Sequence, residues 1–292
     1  MHKHKHLLLL LFLSCFFLIF STSRLPAQSI TTTPDPAIAQ MVGEVSAQNL
    51  EAIVRRLSAF ETRHSLSTTR GDKKGIGAAR NWVEGEFKKY AAASGGRLTV
   101  TQDAYVLEPD GKRIDRRVEM KNVMATLKGT DPNDDRVLVV SGHLDSRNTD
   151  IMDSTGKAPG ANDDASGVAI VMEMARIMAK RAFPCTVIFV AVQGEEQGLL
   201  GAKHLAGRAK TEGWNLIAMA TNDIVGNSFS NETNLHDNTH ERVFSEGIPA
   251  AETSEMAATR RSLSSENDGG ARQLARYYKE VGERYVDQLT VE

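Results

Sequence analysis

Hydrophobic positions along the chain change period twice, and each change marks a change of element. Leu50, Ile53, Val54 and Leu57 recur at three- and four-residue spacing, which predicts an amphipathic helix. A second helical stretch over 76–92 carries Trp82, Phe87 and Tyr90. Two strand-like runs follow, Leu98–Leu107 and Val118–Leu127, with Pro109-Asp110-Gly111 between them, so an antiparallel pair is expected.

From Arg136 onward, strand and helix patterns alternate. Residues 137–140 and 186–192 are short apolar runs of the kind buried on both faces of a sheet. Residues 168–178 are apolar almost all round and read as a buried helix. A helix over 199–209, a third strand over 216–220 and an amphipathic helix through Ala271, Leu274, Tyr278, Val281 and Tyr285 complete the pattern. This β-α-β-α-β succession predicts an α/β fold with a mainly parallel sheet and helices on both faces.

The N-terminus is of another kind. His2-Lys3-His4-Lys5-His6 precedes an apolar run over 7–20, followed by polar residues and the small Ala27. That order reads as a secretory signal peptide over 1–27, with no stable membrane span after its removal. An uncleaved anchor is the other reading of the run. A polar, Pro-containing linker over 28–40 then leads into a domain over 41–292. Loss of the leader would leave Cys185 as the sole cysteine, inside an apolar run, with no disulfide possible within the chain.

Charge adds an exclusion. With 35 Lys and Arg against 37 Asp and Glu, the net charge of -2 gives no basic excess for a phosphate backbone, so nucleic acid is not an expected partner. The acidic residues, however, are not scattered. His143 and Asp145 follow the first buried strand run, Glu195 and Glu196 the second, and Asp223 the third, while Asp163 sits where a helix begins. In open α/β sheets the functional crevice lies outside the carboxyl ends of the strands. Taken singly, Asp163 or Asn162 could be a helix cap, Glu195-Glu196 a solvated loop and His143 a structural residue. Taken together, carboxylates and an imidazole at converging strand ends fit a zinc site, because crowded carboxylates repel unless a cation lies among them.

The motifs His143-Leu-Asp145-Ser, Pro159-Gly-Ala-Asn-Asp163-Asp-Ala-Ser-Gly, Gly194-Glu195-Glu196-Gln-Gly and Asn222-Asp223-Ile-Val-Gly resemble those of the M28 zinc metallopeptidases. Their spacings of 20, 33 and 27 residues from His143 to Asp163 to Glu196 to Asp223 are similar to the family's. The resemblance covers residues 40–292. It implies a three-layer, zinc exopeptidase-like sandwich whose central sheet is mixed but mostly parallel. It also implies an exopeptidase acting on peptides, an aminopeptidase first of all, which the leader would make an exported one. A carboxypeptidase or glutaminyl cyclase on the same fold, or a binding domain with a decayed metal site, are the competing readings.

Carried over by position, the resemblance assigns two Zn²⁺ ions. His143 and Asp223 would bind one, Glu196 the other, and Asp163 would bridge them. Glu195 would be the general base, and Asp145 would orient His143. Family members complete the second zinc with a histidine well downstream. Only His236 and His240 follow Asp223 here, in a polar stretch beside the sequon Asn231-Glu-Thr233. A surface role is expected for both, which implies an incomplete second site and a C-terminal part absent from the chain. Neither side-chain specificity nor oligomeric state is legible in the sequence.

Overall fold

The computed structural model describes residues 33–230 and 232–292, and its compact unit runs from Pro36 to Glu292. The leader, residues 28–32 of the linker and Asn231 of the sequon lie outside the described residues. The linker's last residues do not: helix α1, Pro36–Gly43, begins inside it. Pro36 suits a first helical position, where its missing N–H costs nothing.

Helices α2 (Ala47–Ser58) and α3 (Gly75–Ala91) precede the hairpin of strands β1 (Leu98–Leu107) and β2 (Val118–Leu127). Ser46 caps α2 by accepting the N–H of Asn49, and Leu57 and Ile53 turn inward. At the hairpin's turn, Asp110 Oδ1 accepts the N–H groups of Lys112, Arg113 and Ile114. Then come β3 (Arg136–His143), α4 (Ala165–Met178), β4 (Thr186–Val192), α5 (Leu200–Thr211) and β5 (Asn215–Thr221).

The five strands form one sheet in the order β1-β2-β4-β3-β5. It is mixed: β3 pairs in parallel with β4 and β5, while β2 meets both β1 and β4 antiparallel. The expected hairpin thus joins the sheet and extends it beyond β4. The parallel part is the part that carries the candidate site.

β4 alternates strictly between two cores. Val187, Phe189 and Ala191 pack with α2, α3 and α4, while Ile188, Val190 and Val192 pack on the other face with Leu205 of α5 and with Trp214. Cys185 lies just ahead of β4 and is half-buried and unpaired, rather than within the strand. β5 departs most from expectation, since none of its residues is buried and Leu216, Ile217 and Met219 are 42–49% exposed. Among the described residues it pairs with β3 alone.

Beyond β5 lie a short hairpin, β6 (Phe229–Ser230) with β7 (Leu235–His236), and a parallel pair, β8 (His240–Glu241) with β9 (Thr290–Val291). Helices α6 (Ser254–Ser262) and α7 (Gly270–Tyr285) lie between them in sequence, and α7 has no fully buried residue. None of the described helices is long and apolar enough to cross a membrane.

Candidate metal centre

Parallel pairing brings the chemistry to one edge. His143 of β3 stands opposite Val192, the last residue of β4, and Ser141 stands opposite Thr221, the last of β5. The loops after all three strands therefore leave from the same end of the sheet. β3 runs three residues past its apolar core, so His143 is its final residue rather than part of a loop. The start of α4 presses close against it. A Cβ on Gly142 would stand 2.6 Å from the carbonyl carbon of Gly167, and one on Gly167 would stand 2.3 Å from the oxygen of Asn222. Those two glycines permit the contact.

His143 is almost fully buried. Its Nδ1 lies 3.0 Å from the carbonyl oxygen of Asp145, which can only accept, so Nδ1 carries a proton and Nε2 faces the carboxylates. Asp163 Oδ1 lies 3.0 Å and Asp223 Oδ1 3.7 Å from Nε2. One ligand atom from each of His143, Asp163 and Asp223 falls within 4.8 Å of the others. Burial acts to lower the His143 pKa, but Asp145, Asp163 and Asp223 outweigh it and lift it well above the usual imidazole range. Carboxylate oxygens gathered around one imidazole nitrogen are also placed to favour a divalent cation. One imidazole nitrogen and two carboxylate oxygens, with an open side, are a donor set that zinc accepts. The residues present therefore fit the metal.

Asp145 acts differently from expectation. Its backbone carbonyl, not its carboxylate, hydrogen-bonds the imidazole; the carboxylate stays 3.8 Å from Nδ1. Fully buried, that carboxylate accepts the N–H groups of Gly194 at 2.9 Å and Glu195 at 3.2 Å on Oδ1, and of Glu196 at 3.1 Å on Oδ2. Burial pushes its pKa up, but His143 and these amides hold it below the ordinary aspartate value. Asp145 thus fixes the backbone of the Glu195-Glu196 doublet.

Glu195 is half-buried, and burial together with the charges of Asp145, Glu196 and Asp223 raises its pKa. Glu196 is not one of the three clustered residues. Its side chain, 8% exposed, is engaged by Arg147, whose Nε lies 2.6 Å from Oε2. Burial raises its pKa and Arg147 opposes the rise.

Two residues of the site carry no motif signal that singles them out. Asp164, rather than Asp163 or Asn162, caps α4: its Oδ1 accepts the N–H of Gly167 at 2.8 Å and its Oδ2 the N–H of His143 at 2.9 Å. Burial pushes its carboxyl up to about 7. The capping duty falls to Asp164, which leaves Asp163 free to turn toward His143; the peptide bond between the two is cis. The doubled aspartate was the available clue. Arg63 gave none. Fully buried, it donates to the carbonyls of Leu57, Leu144, Pro159 and Gly160 at 2.6–3.2 Å, joining the end of α2 to the loops that carry Asp145 and Asp163.

The other described histidines lie elsewhere. His236 lies against Phe229 with the rings tilted by 31°, His240 pairs with Asp237 at 2.6 Å, and both are exposed. His204 stacks on Tyr105 beside Asp103, and buried His64 bonds the carbonyl of Ile151.

Similarity to known proteins agrees with this arrangement. The model of peptidase family M28 matches residues 122–287. A probable zinc metalloprotease of Leptosphaeria maculans is 46% identical over 262 residues, 90% of this chain and 60% of that protein. Another from Pyricularia oryzae is 48% identical over 250 residues, 85% of this chain and 49% of that protein. The chain thus spans about half to three fifths of the length of these curated relatives. Among solved structures, the LapA aminopeptidase of Legionella pneumophila superposes with a TM-score of 0.60 at 18% identity, covering 89% of this chain and 57% of that one, which is a likeness of fold. With four motifs in order, their residues at one sheet edge and the family's model matched over 122–287, the chain belongs to peptidase family M28.

Proposed function

We propose that this chain carries the centre of a zinc-dependent exopeptidase, and specifically of an aminopeptidase. The observation that carries the reading is the clustering of His143, Asp163 and Asp223 within 4.8 Å, beside a glutamate whose backbone a buried carboxylate holds in place. The relatives' description as probable zinc metalloproteases supports it.

His143, Asp163 and Asp223 would hold the zinc. When bound, zinc supplies Lewis acidity, which polarises a scissile carbonyl and makes a water acidic near neutral pH. Glu195 stands outside the trio and is the general base: it takes a proton from the attacking water and returns it to the departing amine. Its raised pKa moves it toward the range in which a carboxylate works as a base near neutrality. Asp145 keeps Glu195 in position through the amides of the doublet.

Charge favours the N-terminal end of a peptide as substrate. A bound zinc would balance the charges of Asp163 and Asp223, but Glu195 and buried Asp145 leave the site negative, which favours an α-ammonium group. Arg147, the cation nearest to Glu196, is already paired with it and so is not free to receive a substrate carboxylate. The basic, apolar and small-residue order of the first 27 residues supports export as part of the same reading. Recovery of the secreted protein with Gln28 as its first residue is expected, whereas a chain that keeps Met1 and stays inside the cell would contradict export.

The test compares peptides with free and acetylated N-termini. With zinc present, the chain should release N-terminal residues from the free peptide only. Glu195→Gln should lower kcat by about 10²–10⁴-fold while zinc content stays unchanged. Equal cleavage of the acetylated peptide, or half-maximal activity in Glu195→Gln, would overturn the assignment.

A further inference from the structure

Glu196 is pinned along its backbone but free in its side chain. Its N–H is held by Asp145 Oδ2 at 3.1 Å, and its carbonyl oxygen accepts Arg113 Nη1 at 2.6 Å. The carboxylate alone can change partners, by side-chain rotation, without moving the loop. Its present partner is Arg147, at 2.6 Å, and its ligand atoms lie outside the set shared by His143, Asp163 and Asp223. Apart from Glu196, Arg147 has one hydrogen bond, 3.3 Å to the carbonyl of adjacent Asn148, so little else restrains it. The pair is also asymmetric: Glu196 is 8% exposed on its side chain, against 38% for Arg147. The carboxylate stays in the site whichever cation it meets, while the guanidinium has open solvent to move into.

We propose that Arg147 is a built-in competitor for Glu196. It occupies this carboxylate when one divalent cation is bound at His143, Asp163 and Asp223, and a second cation can use Glu196 only by displacing the guanidinium. The inference rests on the metal-site reading above. It makes cation binding stepwise, a tight first event and a second event weakened by the ion pair. Removing the guanidinium should help the second cation in two ways, by freeing a carboxylate that is costly to leave unpaired and by removing a like charge.

The test is a calorimetric titration of Zn²⁺ into the chelator-stripped full chain, with no activity assay. In Arg147→Met the second event should tighten by about tenfold or more, since a hydrogen bond to a charged group is strong enough for that change. The first event should tighten less than the second, because Arg147 bonds Glu196 but bears on Asp163 only through its charge. Arg147→Lys, which keeps the charge, should stay close to the unmodified chain. Adding Glu196→Gln to Arg147→Met should erase the gain. An unchanged or undetectable second event in Arg147→Met, with the first intact, overturns the role of Arg147 alone, as does a gain that survives Glu196→Gln. Absence of the first event in the unmodified chain overturns the metal-site reading itself, and the competitor role with it.

Discussion

β3 and β5 lie side by side, and each leads to a member of the metal trio, yet they are held in opposite ways. β3 runs between β4 and β5 and ends in a buried His143, whose N–H, ring and flanking carbonyl are all engaged. β5 lies at the sheet's edge with no buried residue, and Asp223 follows it with its side chain about half exposed. Its tether to β3 at that end is Asn222, whose backbone N–H and side-chain Nδ2 both donate to the carbonyl of Ser141, at 2.8 and 3.1 Å. The contrast teaches that the geometry of the centre is set by β3, β4 and the start of α4, with Asp223 brought in from the more weakly held side.

The largest expected effect comes from the strongly held side. Phe189 of β4 is fully buried between the sheet and the helices α2–α4, so Phe189→Ala should destabilise the fold by about 3–5 kcal/mol in denaturant melts. A loss below about 1 kcal/mol would break the contrast.

An intermediate effect is expected where helices meet over that core. Glu173 of α4 accepts the N–H of Ser46 at 2.8 Å and pairs with Arg176 at 2.7 Å, fastening the start of α2 to α4. Glu173→Gln should cost about 1–3 kcal/mol, as for lost bonds to a charged group. Burial raises the Glu173 pKa, but Arg176 and the Ser46 amide outweigh it, so the folded value lies below the ordinary 4.5. A depressed carboxylate stabilises the fold above its unfolded pKa and loses that contribution as pH falls through the folded value. Stability of the unmodified chain should therefore fall more steeply below about pH 4.5 than that of Glu173→Gln, as followed by melts across pH 3–6. Identical slopes would remove Glu173 from the account.

The smallest effect belongs to β5. Met219→Ala, at a position 43% exposed, should change stability by no more than about 0.5 kcal/mol. A cost comparable to Phe189→Ala would show that β5 is covered in solution.

The same contrast explains what the sequence disclosed. The boundaries of β4 follow from its apolar run because both of its faces are covered, so hydrophobicity and burial coincide there. Leu216, Ile217 and Met219 are as apolar as the residues of β4 but are exposed. An apolar run records which residues can be buried; which strand lies at the edge depends on pairing that the run does not encode. The trio of the centre was legible because motif residues sit at the ends of parallel strands. Arg63, Asp164 and the carboxylate of Asp145 were harder to place, because each acts on backbone groups brought together by folding. Arg147 is a further case, since its pairing with Glu196 spans 49 positions and follows no spacing rule.

The central claim is that His143, Asp163 and Asp223 hold zinc together, and zinc binding measured by titration with metal analysis tests it most directly. The unmodified chain should hold zinc stoichiometrically, and His143→Ala, Asp163→Asn and Asp223→Asn should each weaken that site by about a hundredfold or more, since changes to residues merely supporting a ligand already cost about 10–100-fold. His240→Ala, paired with Asp237 and outside the trio, should bind as the unmodified chain does. A chain that holds no zinc, or one whose affinity survives all three ligand substitutions, would contradict the account.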